Sequence, residues 1–391
     1  MESMQEAGAK QFAKTKKPLG KRVIKGIGWS VLALLGIVLI VGTLFLNLSP
    51  QFGGTATAEQ IVRYEESGHY QEGIFVNQEP TSVGGPSWDL INEMLFTEAV
   101  QAPEKAPEVI SLDPALVAQP DSITRLTWFG HSAFLLEIEG KHILLDPMLG
   151  DTPSPAPLPG PKRFSRELPI EIEELPYIDA VVISHDHYDH LDYESILQMK
   201  DKVGAFFTPL GVGIHLEAWG IETDKIHELN WWESYEYKGL TLVSTPSRHF
   251  SGRGLLDRFK TFWSSWVIKG EKENIFFSGD GGYGTHFKEI GEKYGPFDIA
   301  MMECGQYNTH WKEIHMMPEE TVQATLDVKG KLLLPIHWGA FTLSLHDWRE
   351  PVIRASKKAK ELNVPMTTPK IGETITFDGR DYPVTRWWEE Y

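Results

Sequence analysis

The sequence predicts an α+β fold, sheets covered by helices, preceded by one N-terminal transmembrane helix. Three observations carry this. From Ile123 onward, short apolar runs broken by Gly and Pro alternate with helix-like segments. Between Gly26 and Leu48 there is no charged residue. Of the 391 residues, 41% are hydrophobic and 11% aromatic, which supports a sizeable core and excludes wholesale disorder.

The apolar run, GIGWSVLALLGIVLIVGTLFLNL, comes first in the chain. As a helix rising about 1.5 Å per residue it spans ~35 Å, enough for a hydrocarbon core of ~30 Å. Residues 1–48 carry seven basic groups (Lys10, Lys14, Lys16, Lys17, Lys21, Arg22, Lys25) against Glu2 and Glu6, a net +5. With −17 overall, residues 49–391 therefore carry −22. The basic flank precedes the span, so residues 1–25 are expected in the cytoplasm, 26–48 in the membrane, and the acidic body on the outer face. The rival is a cleaved signal at Ala56-Thr57-Ala58, but the run exceeds the usual ~7–15 residues. An acidic body argues against nucleic acid as a partner, because that binding needs basic surface. A single cysteine, Cys304, excludes an intramolecular disulfide framework and reads as a small core residue.

Residues 49–120 mix Gly, Pro and polar residues and read as a stalk and wrapping segment with a short helix near Trp88–Phe96. The catalytic domain is expected over 121–391. In it ITRLTWFG, SAFLLEIEG and KHILLDP read as strands, followed by a loop with Pro153, Pro155, Pro157, Pro159 and Pro161. YIDAVVISH is a buried strand, LDYESILQMK a helix, AFFTP a strand and GVGIHLEAWG a helix. LTLVSTP, WSSWVIKG, NIFFSGD, DIAMME and KLLLPIHW are further strands. PEETVQATLDVKG, with Pro at its start and Gly at its end, is a helix.

The chemistry is concentrated in Ser184-His185-Asp186-His187-Tyr188-Asp189-His190, directly after the buried strand. A lone histidine is more often a hydrogen-bonded core residue; three histidines and carboxylates on one loop reverse that expectation. Imidazole and carboxylate suit zinc, manganese or iron, and the lack of thiolates points away from purely structural zinc.

This loop resembles the HxHxDH motif of the metallo-β-lactamase superfamily. Later members of the series follow in order, each after an apolar run: His249, Asp280 and His337. The resemblance implies a four-layer αββα sandwich and two divalent metal ions. One would be held by His185, His187 and His249, the other by Asp189, His190 and His337, with Asp280 bridging. Asp146, in LLDP, matches a carboxylate that orients a ligand histidine; the alternative is a turn former before Pro147.

The segments TWFGHSAFLLEIEGKHILLDP, GPKRF, SSWVIKG, FFSGDGGY, PEETV and IHWGAFTLSLHDWREP extend the likeness over about residues 121–355. They resemble the N-acyl-phosphatidylethanolamine-hydrolysing phospholipase D branch. That resemblance implies phosphodiester cleavage of a phospholipid, with the lipid bilayer as partner and with Asp189, His315 and His131 in catalytic roles. Arg248 and Arg253, flanking a ligand, are candidates for phosphate contact, with exposed salt bridges as the alternative. Gln306 and Tyr307 are the substrate-side candidates, in a stretch (residues 305–311) where the chain departs from that branch. The enzymatic alternative is a lactonase or phosphoesterase on a soluble phosphorylated substrate; the non-enzymatic one is a membrane-anchored scaffold. His69, His142, His215, His227, His286, His310 and His346 belong to no such motif. Trp231, Trp232, Trp263, Trp266, Trp387 and Trp388 suit either a lipid interface or a core.

Overall fold

Strand side chains alternate between two destinations, and that alternation builds the layers. The structure, a computed structural model, describes residues 19–119, 121–155, 160–377 and 382–391. Most of the basic segment 1–25, together with Pro157 and Pro159, lies outside the described residues. The chain divides into two units, Met1–Ser49 and Pro50–Tyr391. The first holds helix α1 (Leu19–Leu48), whose stretch Val23–Leu48 is long and apolar enough to cross a membrane.

In the second unit, residues 50–119 hold α2 (Ala58–Glu66), a hairpin of β1 (Tyr70–Gln71) and β2 (Ile74–Phe75), α3 (Trp88–Phe96) and α4 (Pro114–Val117). Of the expected stalk and wrapping segment, the second description fits these residues. Tyr64 and Phe75 are buried in a cluster with Leu210, Trp231, Phe262 and Trp263, so this segment packs within the second unit. The short helix falls where expected, and α2 begins with a capping box between Thr57 and Gln60.

Then follow β3 (Arg125–Trp128), β4 (Phe134–Ile138), β5 (Lys141–Leu145), β6 (Ile178–Val182), α5 (Tyr193–Met199), β7 (Val203–Pro209), α6 (Gly213–Ala218), β8 (Ile226–Leu229) and β9 (Ser234–Tyr237). The remainder holds β10 (Leu240–Thr245), β11 (Ser265–Lys269), β12 (Asn274–Phe277), α7 (His286–Lys293), β13 (Ile299–Glu303), α8 (Pro318–Asp327), β14 (Leu333–Ile336), α9 (Glu350–Leu362) and β15 (Thr374–Thr376). One sheet has the order β15-β3-β4-β5-β6-β7-β8, the other β14-β13-β12-β11-β10-β9.

Register assigns the faces. Leu136 pairs with Ile143, and both join the central core between the sheets, where Leu242, Trp266, Ile268 and Phe277 meet them. Leu135 pairs with Leu144, and both turn outward to pack with Ile196, Met199 and Leu216 of α5 and α6. On the second sheet Val267 and Phe276 face outward against Phe287, Val322 and Ala355 of α7, α8 and α9. The result is helix, sheet, sheet, helix, as the resemblance implied. The uncertainty over the tryptophans is settled for five of them: Trp231, Trp263, Trp266, Trp387 and Trp388 are buried in these cores. Cys304 is buried as well, and burial pushes its thiol pKa up.

Strands β5, β6 and β7 run parallel, as do β12, β13 and β14. Parallel strands bring their carboxyl ends, and the loops that leave them, to one edge of each sheet. Asp146 follows β5, the histidine loop follows β6, Asp280 follows β12, Glu303 ends β13 and His337 follows β14.

Candidate metal centre

Backbone geometry at the strand ends places the side chains first. His131 (φ 56°), Asp146 (φ 37°) and His337 (φ 67°) are non-glycine residues in the left-handed region, a conformation that costs about 1–3 kcal/mol each and needs support from its surroundings. The support is visible. His131 N–H donates to the Trp338 carbonyl (3.2 Å), His337 N–H donates to the His131 carbonyl (3.0 Å), and the Trp128 indole donates to that carbonyl too (2.9 Å). The ends of β3 and β14 are thus locked together, with the His131 and His337 rings 4.2 Å apart.

One group of ligand atoms is built from histidine alone. His185 Nε2 lies 2.8 Å from His187 Nδ1, and His249 Nε2 lies 3.3 Å from the same atom. The Ile314 carbonyl, 2.9 Å from His249 Nδ1, can only accept, so that nitrogen carries the proton and Nε2 turns its lone pair inward. Burial holds the pKa values of His185, His187 and His249 down, which keeps them neutral and ready to donate electrons.

The other group mixes imidazole and carboxylate. His337 Nε2 lies 3.1 Å from Asp189 Oδ2 and 3.0 Å from Asp280 Oδ2; His190 Nε2 lies 3.1 Å from Asp280 Oδ2 and 3.4 Å from Asp189 Oδ2. Burial opposes charge on His337, but Asp280 and Asp189 outweigh it and raise its pKa to about 10. Burial likewise opposes charge on His190, yet Asp280, Asp189 and Asp146 hold its pKa well above the usual value. Asp280 also stands 4.0 Å from His185 Nε2 and 3.9 Å from His249 Nε2, between the two groups.

These residues fit metal ions. Within each of the sets His185–His187–His249 and His131–Asp189–His190–His337, the ligand atoms lie within 4.8 Å of one another. Asp280 Oδ1 is buried without a hydrogen-bond partner, a costly arrangement unless a cation takes that place. The donors are neutral imidazole and carboxylate, the chemistry that borderline divalent ions prefer.

Supporting residues hold the ligands in turn. Asp146 accepts from His190 Nδ1 (2.7 Å), from the Ser184 N–H (2.7 Å) and from the Ser184 hydroxyl (2.5 Å). His131 Nε2 lies 2.9 Å from Asp189 Oδ2, and the ring is buried. His315 Nδ1 lies 3.0 Å from Glu303 Oε1, and its ring stacks 5.3 Å from that of His337.

The four substrate-side candidates all have partners within the protein. Arg253 is buried, donating to the carbonyls of Asp186 (2.6 Å), Leu191 (2.8 Å) and Gln51 (2.8 Å). Arg248 donates to Thr81 Oγ1 and to the Pro80 and Tyr283 carbonyls, and pairs with Glu313. The Gln306 amide donates to the Phe341 carbonyl and accepts from the Leu343 N–H. Tyr307 stacks on His346, and its hydroxyl accepts from Arg354.

Sequence reasoning missed Glu303. Fully buried, it accepts from the Met316 N–H (2.8 Å) and stands 3.5 Å from His337 Nδ1 as well as facing His315. The signal was present: an acidic residue closing the apolar strand IAMME, as Asp280 follows IFFSG. His215, expected to be ordinary, faces Asp186 Oδ2 at 3.2 Å.

A family model described as a beta-lactamase superfamily domain matches residues 141–338. An uncharacterized protein of Mycobacterium tuberculosis is 40% identical over 339 residues, covering 83% of this chain and 88% of that one. The N-acyl-phosphatidylethanolamine-hydrolyzing phospholipase D 1 of Caenorhabditis elegans is 36% identical over 248 residues, 60% of this chain and 68% of that one. Among solved structures, Igni18, a metallo hydrolase of Ignicoccus hospitalis, aligns with a TM-score of 0.50 at 23% identity, covering 66% of this chain and all of the other. That last likeness is one of fold.

Proposed function

The chain belongs to the beta-lactamase superfamily and is a metal-dependent hydrolase; from that premise we propose that it is a membrane-anchored phosphodiesterase with two metal ions, acting as a phospholipase D on N-acyl-phosphatidylethanolamine-like lipids. The observation that carries the reading is the gathering of seven ligand side chains in two groups that share Asp280. His185, His187 and His249 would hold one ion; Asp189, His190 and His337 the other. When bound, the ions supply Lewis acidity toward phosphoryl oxygens and lower the pKa of water to the neutral range.

The protein's own groups do the rest. Asp146 keeps the Nδ1 proton of His190 turned away from the centre, so that Nε2 faces inward. His131 takes up an oxygen of Asp189 and limits its rotation. Glu303 orients His315, leaving Nε2 of that half-buried ring to protonate a departing alcohol. The nucleophile comes from water, so Cys304 has no part in the chemistry.

Lipid as substrate is supported by the Caenorhabditis elegans relative and by exposed apolar surface. Helix α3 has no buried residue; Trp88 is 80% exposed, and Met94, Leu95 and Phe96 are exposed with it. It is tied to the loop after β13 by Asn308 donating to Glu93 (2.8 Å). Leu256, seven residues after His249, is 94% exposed. Such apolar surface suits a bilayer, and the basic flank before helix α1 supports an outer-face orientation by the positive-inside rule.

The test is direct. Full-length protein in phosphatidylcholine vesicles containing N-acyl-phosphatidylethanolamine is expected to release phosphatidic acid and N-acylethanolamine, and a chelator is expected to stop it. Release of neither product by metal-loaded protein overturns the substrate.

A further inference from the structure

The chain that follows helix α1 runs straight to the back of the histidine loop. Trp219 Nε1 donates to the Pro50 carbonyl (2.7 Å), and Arg253 Nε donates to the Gln51 carbonyl (2.8 Å). The Phe52 ring meets Tyr188 edge-on at 6.5 Å, and the Gly54 N–H donates to His215 Nδ1 (3.2 Å). Two of these contacts need glycine. At Gly53 (φ 76°) a Cβ would fall 1.9 Å from His215 Nδ1, and at Gly54 one would fall 2.3 Å from the Ile214 carbonyl oxygen.

From there the contacts continue to the ligands. A backbone N–H only donates, so His215 Nδ1 accepts from Gly54 and its Nε2 carries the proton, which points at Asp186 Oδ2 (3.2 Å). Asp186 lies between the ligands His185 and His187, and its carboxylate also accepts from Thr261 Oγ1 (2.7 Å) and the Gly252 N–H (2.8 Å). Arg253 fixes the loop backbone from the same side through the carbonyls of Asp186 and Leu191, its guanidinium 4.1 Å over the Tyr188 ring. Tyr188 closes the circuit by donating to the Arg253 carbonyl (2.7 Å). Asp186, His215 and Arg253 are all buried.

We propose that the segment Pro50–Gly54 braces the metal-ligand loop, with His215 and Arg253 as positioning residues that transmit its placement to His185 and His187. This rests on the reading of those histidines as metal ligands. In sequence, residues 50–54 directly follow the helix that reads as a membrane anchor. Partners that orient ligand loops from behind change metal affinity by about 10–100-fold when removed, and that is the size expected here.

The experiment uses the full-length chain in detergent and compares wild type with His215→Leu, His215→Gln and Gly54→Val. Zinc affinity is read by competition with a chromophoric chelator, and ligand geometry by the visible spectrum of the cobalt-loaded protein. His215→Leu and Gly54→Val are expected to weaken zinc binding at least about tenfold and to alter the cobalt bands. His215→Gln can still accept from Gly54 and donate to Asp186, and is expected to restore both. If Gly54→Val fails to fold, the leucine and glutamine pair decides alone. Unchanged affinity and spectrum in His215→Leu overturn the brace while leaving the metal site intact. A wild type that binds no zinc or cobalt overturns the metal reading and the brace with it.

Discussion

The two halves of the metal centre are made on opposite electrostatic principles. His185, His187 and His249 are neutral because burial suppresses their charge; Asp280 comes no nearer than about 4 Å to His185 and His249, and the pull of Asp186, Asp189 and Asp280 on His187 does not overcome its burial. His190 and His337 are charged in the metal-free protein because Asp189, Asp280 and Asp146 overwhelm the same burial. The first group waits with lone pairs; the second holds protons where a cation would sit. Cation binding to the second group is therefore an exchange, and to the first a simple filling.

Asp280 is the residue common to both, and Asp280→Ala is expected to have the largest effect. Turnover should fall by on the order of 10³-fold, the upper end for loss of one electrostatic group, with metal content falling in parallel by elemental analysis. Retention of both ions in that variant would break the idea of a shared carboxylate.

Of the ligands, Asp146 meets His190 directly and reaches His185 only through the Ser184 hydroxyl, which lies 2.9 Å from His185 Nδ1. Asp146→Asn is expected to weaken one of two steps in a zinc titration by about 10–100-fold and the other less. Equal weakening of both steps would mean the halves are not independent.

The protonation contrast has a sign that can be measured. The folded pKa of His337, about 10, exceeds its unfolded value of 6.5, so its stabilisation of the metal-free protein is complete below 6.5. That contribution is lost as pH rises toward 10, at no more than about 1.4 kcal/mol per pH unit. His337→Gln should flatten the alkaline slope of metal-free stability in urea titrations.

His286 provides the opposite case away from the centre. Burial lowers its pKa to about 3, so the unfolded chain takes up that proton first and stability falls as pH drops from 6.5 toward 3. His286→Phe should reduce this acid loss, the smallest of the four effects because repacking around Phe287 offsets part of it. An unchanged acid slope would show that burial there does not control the proton.

Much of this was legible in the chain because burial writes itself as apolar runs. β5, β6, β10 and β12 to β14 stand where KHILLDP-like texture announces strands, and the histidine loop announced itself by density alone. Besides the short hairpin β1–β2, the missed strands are β8, β9 and β15, three of the four edges of the two large sheets. Their sequences, IHEL, SYEY and TIT, carry polar side chains because an edge strand faces solvent along one side. The segment 49–120 read as a stalk and wrapping segment because its Gly, Pro and polar residues show little periodicity, yet Tyr64 and Phe75 suffice to seat it.

The site divides in the same way. Ligand identity was local: imidazoles and carboxylates in order after apolar runs imply a metal centre before any fold is known. The roles of Arg248, Arg253, Gln306 and Tyr307 were not, since an arginine beside a ligand looks alike whether it faces solvent or a buried carbonyl. Glu303 and His215 stayed hidden because each acts on a partner distant in the chain, Glu303 on His337 and His215 on Asp186. The sequence by itself determined which elements form, that the first helix is fit to span a bilayer, and which atoms suit a metal. Only the tertiary structure decided which buried donor meets which acceptor, because that depends on where two sheets and a wrapping segment bring remote backbone to within hydrogen-bonding distance.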